Sequence, residues 1–177
     1  MTTPKTERTL MLLRHAKAEQ VMGKSDHDRE LAARGRGDAR AVGQWLSDPS
    51  QAVVPDLVLC STSERTRQTL DGLSAGGASV KEVQFDERIY NASAALLFEV
   101  LQEVSDSVKA VMVIGHAPGI PVLARALTQD GAGSAEAIDR MSNGFPTSGL
   151  AILGFEGPWA ALEPETAQLR DFVVPRG

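Results

Sequence analysis

Two of the three histidines in this sequence, together with two arginines and a serine, form three short segments that could do chemistry. The residues concerned are Arg14, His15, Ser61, Arg65 and His116. A phosphoryl group in transfer needs its three equatorial oxygens neutralised and a nucleophile in line with the leaving group. Arginine suits the first task, because its planar fork can hold two oxygens and keeps its charge. Neutral imidazole suits the second task, so the segments together favour phosphoryl transfer.

The charge state of the imidazole decides whether His15 can act as the nucleophile. Neighbouring guanidinium groups should lower the pKa of His15 and leave it unprotonated near neutral pH. A second histidine, His116, could donate a hydrogen bond to the transferring group. A leaving alkoxide would in addition need a proton donor.

Each of the three segments directly follows an apolar run that is typical of a buried strand. These runs are Thr9–Leu13, Leu57–Cys60 and Ala110–Ile114. Short runs rich in leucine and β-branched residues mark strands that are covered on both faces. Ligands of open α/β sheets bind beyond the carboxyl ends of the strands. The three segments should therefore meet at one edge of a sheet.

The stretches between and after these apolar runs show the residue periodicity of amphipathic helices. Apolar residues recur at i, i+3, i+4 and i+7 in Leu97–Val104 and in Ile120–Leu127, and Val42 with Leu46 indicates a third helix. Strands that alternate with helices through short connections predict an α/β fold. We expect a single domain with three α/β/α layers and a central, mostly parallel sheet.

Two helices should begin next to these segments. Ser61 and Glu64 have the spacing of a capping box, which places Arg65 in the first turn of a helix. Pro118 suits the first position of another helix, and His116 then lies just ahead of that helix. Helix N-termini attract anions, so both helices should strengthen a phosphate pocket.

The remaining stretches carry fewer signals. Leu150–Phe155 and Gln168–Val174 are typical of late strands that close an edge of the sheet. Lys17–Arg34 is strongly polar and Asp130–Asn143 is rich in Gly, Ala and Ser, so both are predicted to be surface loops. Three polar side chains are interpreted as solvated charges or loop residues, namely Lys17, Arg67 and His27.

Length and composition fit one ordinary globular domain. Of the 177 residues, 42% are hydrophobic and 23% charged, and we expect a flexible N-terminus at 1–8 and a domain at 9–177. The net charge of −5 offers no basic field to nucleic acid. Cys60 is the single cysteine, which excludes an intrachain disulfide, and no apolar run approaches the ~20 residues that span a bilayer. These features predict a cytoplasmic protein without nucleic-acid or membrane partners.

Six short motifs occur in an order and spacing that resembles the histidine phosphatase superfamily, and most closely its small SixA-type phosphohistidine phosphatases. The motifs are Arg14-His15-Ala16-Lys17, Leu31-x-x-Arg34-Gly35, Ser61-x-x-x-Arg65-x-x-Gln68-Thr69, Asp86-Glu87-Arg88-x-Tyr90, Gly115-His116-x-Pro118-Gly119 and Pro146-Thr147-Ser148-Gly149. The resemblance covers nearly the whole chain, from Leu10 to Val174. It implies a phosphoglycerate mutase-like fold, in which a mostly parallel sheet lies between helices.

The same resemblance implies a reaction in two steps. His15 takes the phosphoryl group as a covalent phosphohistidine, which water then attacks, and Arg14, Arg65 and His116 complete the phosphate pocket. Glu87 matches a proton-donor position of the mutase branch. The family needs no metal and no cofactor. The implied substrate is phosphohistidine on a protein, with a small phosphate ester as the alternative, and phosphate-like anions should bind in the site.

Other interpretations remain open. His15, His116 and the cluster 26–28 could form a metal hydrolase, although their spacing matches no standard ligand pattern. A non-catalytic phosphate-binding module is a further alternative. Cys60 invites a cysteine-based phosphatase, but such enzymes need arginine at the position that Thr66 occupies here. Cys60 is therefore better interpreted as a buried thiol.

Overall fold

Strands and helices alternate along most of the chain in a computed structural model, which describes residues 6–51 and 53–177. Within these residues the strands are β1 (Glu7–Arg14), β2 (Leu57–Cys60), β3 (Glu82–Phe85), β4 (Ala110–Gly115), β5 (Thr128–Gly133), β6 (Leu150–Glu156) and β7 (Ala167–Val173). The α-helices are α1 (Ala33–Ser47), α2 (Glu64–Ala75), α3 (Ala94–Gln102), α4 (Gly119–Leu127) and α5 (Ala135–Ser142). Short 3₁₀ turns lie at Glu87–Ile89 and Trp159–Ala161.

These strands form one sheet with the order β3-β2-β4-β1-β6-β7-β5. β1 is parallel to β4, β4 is parallel to β2, and β2 is parallel to β3. β6 runs antiparallel to both of its neighbours, β1 and β7, while β5 is parallel to β7. The sheet is therefore mostly parallel, as predicted, and the carboxyl ends of β1, β2 and β4 lie side by side.

Side chains of β1 alternate between two buried clusters that show where the helices pack. Leu10 and Leu12 belong to one cluster, which also contains residues of α3 and α4. Met11 and Leu13 belong to a second cluster with residues of α1 and α2. Full burial of such a side chain stabilises the fold by about 1.5–3 kcal/mol. Helices therefore cover both faces of the sheet, which confirms the predicted three-layer α/β/α domain.

Helix α1 lies directly against the backbone of two other segments. A Cβ atom at Gly35 would collide with the carbonyl oxygen of Lys17, in the loop that follows β1. A Cβ atom at Gly43 would collide with the carbonyl oxygen of Leu73 in α2. Because glycine has no Cβ, α1 can approach both the loop after β1 and helix α2 at backbone distance.

Two predictions for the second half of the chain are wrong. Leu150–Phe155 and Gln168–Val174 do form strands, as predicted, but they do not close an edge of the sheet: β6 lies between β1 and β7, and β5 forms the edge on that side. Asp130–Asn143 is not a surface loop, because it contains the end of β5 and the whole of α5. Helix α5 buries Ala137 and Met141, which are four residues apart on one helix face. This pair is too small a signal to stand out in a stretch rich in Gly, Ala and Ser.

The polar segment Lys17–Arg34 is largely irregular, as predicted, until α1 begins at Ala33. Of the N-terminal segment predicted to be flexible, residues 1–5 lie outside the described residues. Glu7 and Arg8, by contrast, belong to β1, and Arg8 is buried. No helix in the described part of the chain has the length and apolar character needed to cross a membrane.

Candidate active site

The carboxyl ends of β1 and β4 place two of the predicted site residues next to each other. Arg14 lies beside Gly115 in the parallel register of these strands, so the residues that follow, His15 and His116, emerge side by side. Their ring centroids are 5.1 Å apart. Both histidines line a cavity of about 410 Å³ together with Arg14 and Arg65. Four of the five predicted site residues therefore share one cavity.

The orientation of the His15 ring is set by the backbone of the next residue. Nδ1 of His15 lies 2.7 Å from the carbonyl oxygen of Ala16. A carbonyl oxygen only accepts hydrogen bonds, so Nδ1 must carry the hydrogen and Nε2 is left with a lone pair. Nε of Arg65 donates to this lone pair at 3.3 Å. The ring therefore presents the unprotonated Nε2 to a guanidinium group.

The environment of His15 keeps its ring neutral. Burial is the main cause that lowers the pKa of His15 to about 4; the hydrogen bond to Ala16 opposes this shift, and the charges of Arg65 and Arg14 contribute to it. An imidazole with this pKa is unprotonated throughout the physiological range. The sequence predicted the direction of this shift from the arginines, whereas the largest cause is burial.

Arg65 is buried and fixed by a loop carboxylate as well as by His15. Its side chain is 4% exposed. Nη1 donates to the carbonyl oxygen of Asp26 at 2.6 Å, and Nη2 donates to Oδ2 of Asp26 at 3.0 Å. Three separate contacts, one to His15 and two to Asp26, therefore fix the plane of the guanidinium at the edge of the cavity.

Asp26 is the centre of a network that the motifs did not indicate. The Tyr90 hydroxyl donates to Oδ2 of Asp26 at 2.6 Å, and Nη1 of Arg29 donates to Oδ1 at 3.0 Å. The bond from Tyr90, followed by those from Arg29 and Arg65, holds the pKa of Asp26 well below its usual range. Tyr90 has a signal in the sequence, since it ends the fourth motif, but Asp26 has only the polarity of its loop.

Arg14 reaches the same cavity from the end of β1. Its Nη1 donates to the carbonyl oxygen of Phe145 at 2.9 Å. Its Nε is buried and has no hydrogen-bond partner among residues 6–51 and 53–177. The backbone of Arg14 is fixed as well, because its N–H donates to the carbonyl oxygen of Gly149 at 3.0 Å. Arg14 therefore supplies a second, firmly held cation to the cavity.

His116 is buried next to the His15 ring. Its Nε2 lies 2.8 Å from Oγ of Ser61, and its Nδ1 is buried without a partner in the described residues. Burial first, and then the neighbouring His15 and Arg65, lower the pKa of His116 to about 3. His116 is therefore a neutral ring at physiological pH and can donate from one nitrogen only.

The two helices start near the site, but not with the predicted caps. Ser63, not Ser61, is the N-cap of α2, and the helix begins at Glu64. Pro118 is the N-cap of α4 rather than its first residue. The hydroxyl of Ser61 is directed to His116 instead of to a helix amide. The capping-box pattern therefore predicted the helix correctly and its first residue incorrectly.

Glu87, the fifth predicted site residue, is not brought to the cavity. It lies exposed in the turn Glu87–Ile89 and does not contribute to the cavity lining. The turn contributes to the site indirectly, because it precedes Tyr90, whose hydroxyl contacts Asp26.

We expect Glu87→Gln to change turnover by less than about twofold on both an alkyl phosphate and a phosphohistidine protein, because a general acid must reach the leaving group. The measurement is kcat for each substrate with the variant and the natural protein. A loss of ~10²-fold or more confined to the alkyl phosphate would contradict this and would restore Glu87 as proton donor.

The cysteine-based alternative does not fit the structure. Cys60 is fully buried, and burial raises the pKa of its thiol to about 12. The thiolate needed for nucleophilic attack is therefore scarce at neutral pH. The prediction of a buried structural thiol is confirmed.

Three polar side chains that we expected to be solvated have different environments. Lys17 is exposed and lines the cavity. Arg67 packs over the ring of Phe85 at 4.0 Å and donates to a backbone carbonyl. Nε2 of His27 lies 3.0 Å from Oγ1 of Thr62. Only Lys17 is therefore both a free surface cation and a neighbour of the site.

The metal-hydrolase alternative has no cluster of ligands in the described residues. No group of three or more histidine, cysteine, aspartate or glutamate side chains is arranged there to hold a metal ion. Oδ2 of Asp26 instead accepts a hydrogen bond from Arg65 at 3.0 Å, so this carboxylate forms an ion pair with an arginine. The two histidines and Asp26 therefore do not converge as a ligand set.

Two arginines and a neutral imidazole around one cavity form a site suited to phosphoryl transfer. Residues 10–109 match the histidine phosphatase superfamily (branch 1). The chain belongs to this superfamily.

Relatives of known sequence or structure agree with this membership. An uncharacterized protein of Mycobacterium tuberculosis is 41% identical over 166 residues, which are 93% of this chain and 100% of that protein. A structure from Nakamurella multipartitia, assigned as a phosphohistidine phosphatase SixA, is similar with a TM-score of 0.83 and 34% identity, over 98% of this chain and 99% of that one. A structure from Agrobacterium tumefaciens with the same assignment has a TM-score of 0.71 and 30% identity, over 95% and 99%. The fold is phosphoglycerate mutase-like, as the motifs implied.

Proposed function

We propose that the protein is a phosphohistidine phosphatase that works through a covalent intermediate on His15. Nε2 of His15 attacks phosphorus, and the bond between phosphorus and the substrate imidazole breaks. Water then attacks phosphorus, the bond to Nε2 breaks with its electron pair returning to His15, and the proton of the water leaves to solvent. The observation that carries this proposal is the fixed His15 ring, with Nδ1 held by Ala16 at 2.7 Å and Nε2 facing Arg65 at 3.3 Å.

The surrounding charges fit the needs of the transferring group. Arg14 and Arg65 line the cavity from two sides and can neutralise the phosphoryl oxygens as charge builds on them. The neutral state of His15 at physiological pH keeps its lone pair available without removal of a proton. Positioning and electrostatics of this kind are the main sources of catalysis in phosphoryl transfer.

The cavity favours imidazole over alkoxide as the leaving group. Asp26 is the carboxyl group of the lining, and the Tyr90 hydroxyl bound to it holds the pKa of Asp26 well below its usual range. Asp26 is therefore ionised at neutral pH and has no proton to give to an alkoxide. A protonated phosphohistidine releases neutral imidazole and needs no such donor. This difference supports phosphohistidine ahead of a small phosphate ester.

The deciding experiment is an assay of the purified protein with a chelator present, on a phosphohistidine protein and on a panel of small phosphate esters. We expect turnover to survive chelation, and the phosphohistidine rate to exceed the alkyl ester rates by ~10²-fold or more, the usual contribution of a general acid. Readdition of zinc or manganese is the control and should change nothing.

Each other outcome points to a different class. Activity that returns only with added metal would favour the metal hydrolase. Faster turnover of an ester would favour a small-molecule phosphatase. Binding of phosphate without turnover of any substrate would favour a non-catalytic module.

A further inference from the structure

One buried hydroxyl beside the cavity has no part in the reaction described so far. Ser61 is fully buried, and its Oγ lies 2.8 Å from Nε2 of His116. Its backbone is fixed on both sides, because its N–H donates to the carbonyl oxygen of Ile114 at 3.0 Å and its own carbonyl accepts from the Thr66 hydroxyl at 2.8 Å. The Ser61 hydroxyl is therefore held against one edge of the His116 ring.

The surroundings of this hydroxyl give the hydrogen bond a direction. The backbone N–H of Ser63 donates to Oγ of Ser61 at 3.5 Å, which uses the oxygen as an acceptor. Among the described residues, Nε2 of His116 is the acceptor within reach of the hydroxyl hydrogen. For this buried hydroxyl hydrogen to have an acceptor, it must donate to Nε2, which then carries a lone pair.

The other ring nitrogen of His116 then has a defined state. A neutral imidazole carries its hydrogen on the nitrogen that does not accept. His116 is neutral at physiological pH, because burial lowers its pKa to about 3. Nδ1 thus bears the hydrogen, and it is buried without a partner in the described part of the chain. Since His116 lines the cavity, Nδ1 is the nitrogen free to meet a bound oxygen.

We propose that Ser61 is a positioning residue that fixes the tautomer of His116, so that Nδ1–H is available as a donor to the phosphoryl oxygens. The opposite tautomer would place a lone pair beside anionic oxygens and would leave the Ser61 hydroxyl without an acceptor, which is unfavourable for a buried group. The kinetic part of this inference rests on the proposed function, whereas the tautomer itself does not.

Long-range ¹H–¹⁵N NMR tests the tautomer directly, because it separates protonated from unprotonated ring nitrogens. The chain has three histidines, so the His116 signals can be assigned with single variants. At pH 7 we expect His116 to show a protonated Nδ1 and an unprotonated Nε2, and Ser61→Ala to show a mixture of tautomers. Ser63→Ala is the matched control, since Ser63 is buried in the same turn but its hydroxyl pairs with Thr66 at 2.8 Å.

Kinetics on a phosphohistidine protein provide the second readout. Loss of the defined donor in most of the molecules should lower kcat of Ser61→Ala by about 10-fold, less than the ~10²–10³-fold typical for complete loss of a donor. KM should stay within about twofold, because binding by the arginines is unchanged. Ser63→Ala should keep both the tautomer and kcat of the natural protein.

The proposal is overturned if His116 of the natural protein carries its hydrogen on Nε2, or if Ser61→Ala keeps the original tautomer. It is also overturned if Ser63→Ala lowers kcat as much as Ser61→Ala does. If the natural protein turns over no phosphohistidine, the proposed function fails, while the NMR result still decides whether Ser61 sets the tautomer.

Discussion

Replacing His15 with alanine should lower turnover of a phosphohistidine protein by at least ~10⁴-fold, or about 5 kcal/mol of lost transition-state stabilisation. The loss is large because, in the proposed mechanism, His15 supplies the atom that takes the phosphoryl group. The hydrogen bond from Nδ1 of His15 to the Ala16 carbonyl leaves a lone pair on Nε2, and burial is the main reason why the pKa of the His15 ring is about 4. Two other described side chains are unsuited to replace it, since Nε2 of His116 is hydrogen-bonded to Ser61 and the pKa of Cys60 is raised to about 12.

Rapid-quench labelling with a phosphohistidine protein that carries ³²P distinguishes loss of chemistry from loss of binding. The natural protein should yield an acid-labile phosphoenzyme, and His15→Ala should yield none. His27→Ala is the matched control, because His27 contacts Thr62 and the ring of Tyr90 but does not line the cavity. Label on the His15→Ala protein would contradict a nucleophilic role for His15.

Replacing Arg65 with alanine should lower kcat/KM by ~10²–10³-fold, the range for a charged donor that acts on the transition state. Arg65 is 4% exposed, so its charge acts in surroundings that screen it weakly. Its Nε contacts Nε2 of His15 at 3.3 Å. In the proposed mechanism, removal therefore takes away a cation that binds the phosphoryl group and one of the contacts that orient the nucleophile.

Arg67→Ala is the matched control for this prediction. Arg67 lies two residues further along α2, packs on Phe85 and does not line the cavity. We expect its loss to change kcat/KM by less than about threefold, because the residue makes no contact in the site. Arg65→Lys should recover little activity, since an ammonium cannot reproduce the fork that joins His15 to Asp26. Thermal unfolding of each variant verifies the fold, and equal losses from Arg65→Ala and Arg67→Ala would contradict the role of Arg65.

The part of the fold that carries the site could be predicted from the sequence because it is buried on both faces. Leu57–Cys60 and Ala110–Ile114 are continuous apolar runs, and β2 and β4 coincide with them to within one residue. Burial on both faces removes the need for polar residues in these strands, which makes them easy to find. Since β1 lies beside β4 and the strands are parallel, the residues after them had to share one edge.

The outer strands of the sheet were harder to predict because most of their residues are exposed to solvent and need not be apolar. All four residues of β3 (Glu82–Phe85) are exposed, so no apolar run marks this strand. β5 (Thr128–Gly133) contains three glycine or aspartate residues among six, which argues against a strand on composition alone. Pairing with β7 stabilises it despite this composition.

The contacts within the site join residues that are far apart in the sequence, so no local sequence pattern predicts them. Tyr90 and Asp26 are 64 residues apart in sequence, yet their oxygens are 2.6 Å apart. Glu87 has the right type and the right motif for a proton donor, but lies outside the cavity lining. Motif order thus identified four residues that share the cavity, while side-chain packing decides which residues of the motifs reach it.

Two of the three glycines of α1, Gly35 and Gly43, place part of the control over catalysis outside the cavity. Helix α1 contributes no side chain to the cavity lining among the described residues. Gly35 nevertheless sets how closely the loop after His15 packs on α1, and Gly43 sets how closely α2, which carries Arg65, packs on it. Close-packed interiors pass a displacement on rather than absorbing it, and a shift of ~1 Å between reacting groups can lower a rate by ~10²-fold. One extra methyl group at either glycine would therefore lower the reaction rate of a protein whose active-site residues are all intact.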